Sequence, residues 1–296
     1  MVLHQLIKRP FGNAGRMAAA EFVGTFFFVL TIAVAPKEAQ LGATGALYIG
    51  LLLVALIYTF RFVCAQFNPA VSVAIFLVGA QPGWEVALYV AMQLSGGFAA
   101  ALAGAYLVVD LDGGAAQPHG PRVDFDAYAG GYARAFVAEW LFTTLLAVVV
   151  LFCAISTNKV NHFYGLAIGG MLGGAAGAVG GISGSSFNPA VATSLQLAQC
   201  LHGDCQAVRT LWLYWAAELL GAVTGAIVFL LAHGPGEYHA APWPGQCTVD
   251  AHASLRTVAA DMPFVLGEGD DGGEDGRIND VKSLGERAPL LHAARP

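Results

Sequence analysis

Two identical pentapeptides, Phe67-Asn68-Pro69-Ala70-Val71 and Phe187-Asn188-Pro189-Ala190-Val191, stand 120 positions apart in this 296-residue chain. Neither holds a nucleophile or a general base, so the chemistry open to them is hydrogen bonding. Asn is a favoured helix N-cap whose side-chain oxygen accepts a backbone N–H of the first turn. Pro at the first helical position sacrifices no hydrogen bond, and the small Ala lets two such helix starts approach closely. With each Asn oxygen occupied by capping, its NH2 group is left to donate to a passing oxygen. The positive end of a helix dipole at the same point repels cations. A neutral polar molecule held by Asn68 and Asn188 loses a continuous donor–acceptor chain there, which is the logic of passing neutral molecules while resisting ions.

The elements that must position these triplets are helices in lipid. The chain is 56% hydrophobic and 11% charged, with a mean hydropathy of +0.61, a composition that points to a bilayer as solvent. Apolar blocks of spanning length lie at 17–35, 42–62, 84–109, 132–154, 162–182 and 209–232. The first is expected to remain as a span, because Glu21 interrupts its start and no small-residue cleavage site follows Phe22 to Ala35. After each triplet comes an apolar stretch too short to span, near 68–79 and near 188–197. About ten residues give roughly 15 Å, half the hydrocarbon thickness, so each reads as a re-entrant half-helix.

Other matches keep the same order. Ala20-Glu21-Phe22 pairs with Ala138-Glu139-Trp140, and Leu88-Tyr89 with Gln93 and Gly96 pairs with Leu213-Tyr214 with Glu218 and Gly221. The chain is therefore two copies of a unit of roughly 120 residues. Each copy has three spans, an odd number, so the second enters from the opposite side, and inverted repeats place a functional site near the midplane. The expected organisation is an N-terminal segment at 1–16, a first repeat at 17–109, a connecting loop at 110–131, a second repeat at 132–232 and a disordered acidic tail at 233–296. The fold class is an all-α membrane protein with six transmembrane helices and two half-helices.

The duplicated Asn-Pro-Ala motif, the Ala-Glu-aromatic start of spans one and four, and the Gln93 and Glu218 pair of spans three and six resemble the aquaporin and aquaglyceroporin family over about residues 17 to 232. The resemblance implies a passive water channel and a homotetramer with one pore per subunit. It also implies that Glu21 and Glu139 hold backbone N–H groups of the re-entrant loops. An ionisable residue inside a span is costly and functional by default, which agrees, although helix capping or packing also fits.

The sequence departs from that family's pattern at the outer filter. Where most members have an arginine after the second triplet, this chain has Val191. Carried over by spacing, the remaining filter positions are Tyr48, or Ile49 if the register slips by one, with Ala176 and Ser185. This set is uncharged, offers few fixed donors to replace a solute's hydration, and is expected to be wide. The expected solutes are water and small uncharged molecules such as glycerol, urea, ammonia or hydrogen peroxide. Arg61 precedes the first triplet, either snorkelling at a helix end or biasing cations away from a mouth. Gln66 stands where the family commonly has His.

A net charge of −6 has a local cause in Gly267 to Gly276, where five of ten residues are acidic, and no nucleic-acid footprint is present. Lys8, Arg9, Arg16 and Lys159 flank span ends on one side and Asp110, Asp112, Asp124 and Asp126 lie on the other, so both termini are expected to be cytoplasmic. Glu286 with Leu290 and Leu291 looks like an acidic dileucine signal for a vesicle adaptor, which favours an intracellular, vacuole-like or lysosome-like membrane over the plasma membrane. For Cys200 and Cys205, a disulfide closing a short loop and two unpaired thiols both fit the spacing. No cofactor or metal site is expected, and no nucleophile and base pair suggests an enzyme. The rival class is a secondary transporter, which also uses inverted repeats and broken helices.

Overall fold

The computed structural model describes residues 12–35, 42–107, 131–157, 162–234 and 237–238. The elements are α1 (Asn13–Val34), α2 (Gly42–Phe60), α3 (Pro69–Leu77), α4 (Gly83–Leu107), α5 (Gly131–Val150), α6 (Tyr164–Ser183), α7 (Pro189–Leu201) and α8 (Leu211–Ala232). A π-helical turn, Leu151–Ile155, extends α5, and a 3₁₀ turn, Ala207–Thr210, leads into α8. Among the described residues, five helical segments are long and apolar enough to cross a membrane, and α2 is a shorter apolar helix. Side chains such as Phe27, Leu51, Leu141 and Trp212 are about half exposed on the outer faces, as lipid-facing residues must be.

The pairing follows the repeat. α1 packs on α4 as α5 packs on α8, and α2 packs on α6 across the two repeats. Small residues permit these approaches: a Cβ on Gly96 would lie 2.3 Å from the carbonyl oxygen of Phe22, and one on Gly221 would lie 2.9 Å from that of Trp140. In a membrane, where lipid is as apolar as leucine, such close packing carries helix association. The half-helices interlock the halves, since α3 packs on α8 and α7 packs on α4.

α7 has 13 residues against 9 in α3 and runs to Leu201, where a disulfide joins Cys200 to Cys205. At the other end of the second repeat, the first residues of the segment expected to be disordered are held in place. Thr157 donates its backbone N–H to the carbonyl of Glu237 at 2.9 Å, and His233 stacks on Phe229 with ring centroids 4.0 Å apart. His233 Nε2 also lies 2.8 Å from the Ser156 hydroxyl, and Tyr238 packs against the core. The boundary moves because two aromatic rings beyond α8 find apolar partners. Residues 239–296, with Glu286, Leu290 and Leu291, lie outside the described residues, as do 1–11 and most of the connecting loop.

Candidate functional site

Each triplet starts a half-helix through local geometry. Asn68 and Asn188 are in extended conformation, with φ −156° and −157°, and their side-chain oxygens accept the N–H of Ala70 and Ala190, each at 2.9 Å. Asn188 Oδ1 is also 3.4 Å from the N–H of Val191. Pro69 and Pro189 occupy the first helical positions. Asn68, Pro69, Ala70, Asn188, Pro189 and Ala190 are all buried.

The residue before each Asn is the strained one. Phe67 and Phe187 have φ of 52° and 48°, in the left-handed region that bulky side chains avoid. Such a conformation costs on the order of 1–3 kcal/mol and persists only where its surroundings hold it. Both are held by a buried glutamate from the first helix of their own repeat. Glu21 accepts the N–H of Gln66 at 2.9 Å and of Phe67 at 2.7 Å, and Glu139 accepts the N–H of Ser186 at 3.0 Å and of Phe187 at 2.7 Å.

The left-handed turn also aims each Phe carbonyl at the opposite loop. Asn68 Nδ2 donates to the carbonyl oxygen of Phe187 and Asn188 Nδ2 to that of Phe67, both at 2.8 Å. This corrects the expectation that the whole NH2 group is left for a passing oxygen: one of its two N–H bonds is taken by the other loop. The reason is the close approach of the two helix starts, which brings a buried carbonyl within reach of the amide. The duplicated Phe was visible in the pentapeptides, but its carbonyl's partner was not.

Around these loops the two halves are braced differently. In the first, Gln93 Nε2 donates to Glu21 Oε2 at 2.8 Å and to Ser72 Oγ at 3.2 Å, and Ser72 Oγ donates to Gln66 Oε1 at 2.5 Å. Gln66 in turn donates to Gln81 at 2.8 Å. In the second, Ser183 Oγ donates to Glu139 at 2.5 Å, Glu218 Oε1 accepts the N–H of Asn188 at 2.9 Å, and Tyr214 Oη donates to the carbonyl of Ser183 at 2.5 Å. Sequence reading gave no bracing role to Ser72, Gln81 or Ser183, and took Tyr214 only as a repeat match. The bonds Gln66 to Gln81, Gln93 to Ser72, Ser183 to Glu139 and Tyr214 to Ser183 span 15 to 44 residues, and no local pattern marks them.

A cavity of about 110 Å³ reaches both asparagines and is lined by Ile57, Arg61, Gln66, Asn68, Tyr164 and Asn188 among others. Its wall is mostly apolar. Arg61 holds its guanidinium 4.5 Å from the centre of the Phe62 ring and 5.8 Å from that of Tyr58, so the charge sits on aromatic faces at the cavity's rim.

The four residues carried over as a filter are not equally placed. Val191 is 1% exposed in the main core cluster. Ser185, whose backbone is also left-handed at φ 52°, points its hydroxyl at the carbonyl of Ala176 at 3.5 Å. Tyr48 is 47% exposed and outside the cluster, whereas Ile49 packs against it on the same side of α2 as Leu53 and Ile57. One residue turns a helix by about 100°, so the two registers point in different directions.

The family model described as Major intrinsic protein matches residues 8–229, with a second match over 129–260. The probable aquaporin AqpM of Archaeoglobus fulgidus is 33% identical over 233 residues, covering 70% of this chain and 91% of that protein. Aquaporin NIP2-1 of Arabidopsis thaliana is 29% identical over 217 residues, covering 71% of this chain and 72% of that one. Among solved structures, the aquaglyceroporin from Plasmodium falciparum matches with a TM-score of 0.58 at 19% identity, over 73% of this chain and 93% of its own, which is a likeness of fold.

Proposed function

The chain belongs to the major intrinsic protein family, and from that membership we propose that Asn68 and Asn188 form the selective point of its pore, with an uncharged outer constriction beyond them. It is a multi-pass membrane channel for water and small solutes. The observation that carries the proposed site is the reciprocal pair of 2.8 Å bonds between the two loops. It fixes both asparagines against each other at the head of the cavity and leaves each with one N–H. A water that accepts from both asparagines has its lone pairs engaged, so it relays no proton through that point. Cations meet two positive helix ends.

Ile49, Ala176, Ser185 and Val191 form the outer constriction in this reading, with Ile49 in place of Tyr48 because only Ile49 packs inward. Without an arginine there, the wall admits small uncharged solutes such as glycerol, urea, ammonia or hydrogen peroxide beside water. Glu21 and Glu139 hold the strained loops. The protein works as a homotetramer, as family likeness suggests, with both termini in the cytoplasm. Glu286, Leu290 and Leu291 bind a vesicle adaptor that directs it to an intracellular membrane.

A coupled secondary transporter is the less favoured reading, because the buried glutamates Glu21, Glu139 and Glu218 each accept a backbone N–H of a re-entrant loop. Stopped-flow osmotic measurements on proteoliposomes, with water, glycerol and urea in one preparation, test the proposal. Linear, uncoupled flux of water and at least one solute is expected; saturable, ion-dependent flux overturns it.

A further inference from the structure

The second repeat holds two buried carboxyl groups where the first holds one. Gln93 on α4 and Glu218 on α8 occupy corresponding places in the repeat, each one turn beyond a buried tyrosine, Tyr89 and Tyr214. In the first repeat the brace is an amide on a carboxylate, Gln93 Nε2 donating to Glu21 Oε2 at 2.8 Å. In the second, the carboxyl groups of Glu139 and Glu218 take successive backbone N–H groups of one loop, those of Ser186 and Phe187 on Glu139 and that of Asn188 on Glu218, and both residues are 0% exposed. Two carboxylates on one loop cannot brace one another as the Gln93 amide braces Glu21, because neither has a hydrogen to give.

The other contacts decide which group carries one. Glu139 accepts three hydrogen bonds, from the N–H groups of Ser186 and Phe187 and the hydroxyl of Ser183, an arrangement that favours the charged form. Glu218 Oε1 accepts the N–H of Asn188, and Glu218 Oε2 is buried with no hydrogen-bond partner. The hydroxyl beside it, Ser186 Oγ, gives its hydrogen to the carbonyl of Asn188 at 2.9 Å. A carboxyl oxygen left bare in a dry site is costly unless it is an O–H with somewhere to point.

We propose that Glu218 is a neutral carboxylic acid whose O–H donates to Glu139, doing in the second repeat what the Gln93 amide does in the first, and that this proton positions Asn188 in the pore. Each half-helix start then faces one negative charge, Glu21 in one repeat and Glu139 in the other. A second charge beside Asn188 would offset the positive helix end on which cation exclusion rests. The groups facing Glu218 leave no other source of compensation. α3 and α7 contribute no Lys, Arg, His, Asp or Glu, and α5 contributes Glu139, with Arg134 near its start and exposed. On α8 itself Tyr214 lies one turn away with its hydroxyl committed to Ser183. Arg209, in the 3₁₀ turn before α8, is exposed, and Cys153 of the π-helical turn carries no charge in thiol form.

The test uses the full chain in proteoliposomes. Infrared difference spectra at neutral pH are expected to show a protonated-carboxyl C=O stretch in the parent that is missing in Glu218→Gln, and a second such band in Gln93→Glu, where the pair is rebuilt against Glu21. Water permeability, which rests on the channel reading, is expected to fall several-fold in Glu218→Leu and to be largely restored in Glu218→Gln. Identical carboxyl spectra for the parent and Glu218→Gln overturn the proposal, as does a loss in Glu218→Gln as deep as that in Glu218→Leu. The infrared readout does not require transport, so a parent that passes no water but keeps the band defeats the channel reading and spares the proton.

Discussion

Asn68 donates a side-chain N–H to the carbonyl of Phe187 at 2.8 Å, 119 residues away, and Asn188 returns the same bond to Phe67. The two half-helices are thus capped and cross-tied by one residue type at each start. A side chain that both caps its own helix and clamps the facing loop joins the two half-helix starts into one hydrogen-bonded unit.

Asn188→Ala removes the cap on Ala190 and leaves the Phe67 carbonyl without its amide. Losing the cap costs about 1 kcal/mol and orphaning a buried carbonyl about 1–3 kcal/mol. The stability of the folded protein in detergent is expected to drop by their sum, with lower water permeability. Because both cross-ties join the same two loops, the Asn68→Ala, Asn188→Ala double variant should lose less than the sum of the singles. Strict additivity in denaturant unfolding would show that the ties act independently.

In the proposed reading, Val191→Arg places a charged fork at the outer constriction. Glycerol and urea permeability should fall about tenfold, equivalent to ~1.4 kcal/mol of barrier, while water is less affected. If solute selectivity and water permeability both stay at parent values, Val191 is not at the constriction.

The register of α2 can be read by thiol blocking in a background without the Cys64, Cys153 and Cys247 thiols. A mercurial should inhibit water flux through Ile49→Cys and leave Tyr48→Cys unaffected, because Ile49 packs inward and Tyr48 is 47% exposed. Inhibition at Tyr48→Cys alone would restore the register expected from spacing.

Gly96→Ala should destabilise by about 1–3 kcal/mol through overpacking, since its Cβ would meet the Phe22 carbonyl at 2.3 Å. Gly170→Ala is the control, with nothing within 4 Å of the added carbon. Thermal unfolding in detergent separates them, and equal midpoints would refute the close crossing of α1 and α4.

Replacing Leu290 and Leu291 with alanine is expected to move the protein from intracellular membranes to the plasma membrane in imaged cells. An unaltered distribution removes the adaptor reading.

The sequence by itself determined what depends on short-range or repetitive information. The helical membrane class follows from apolar blocks of spanning length, and the repeat from matched letters at Asn68 and Asn188. The capping chemistry follows from Asn-Pro at a helix start, and the channel class from those features together. Tertiary structure decided what depends on rotation and approach. Whether Tyr48 or Ile49 points inward turns on about 100° of helix rotation, set by packing against α6 and the core. The Asn amide's tie to the opposite Phe carbonyl requires two loops from different repeats to meet. Sequence singled out Gln93 and Glu218 as a matched pair. That the second shares its re-entrant loop with another buried carboxyl group becomes visible only when α5 and α8 bring Glu139 and Glu218 to the same loop.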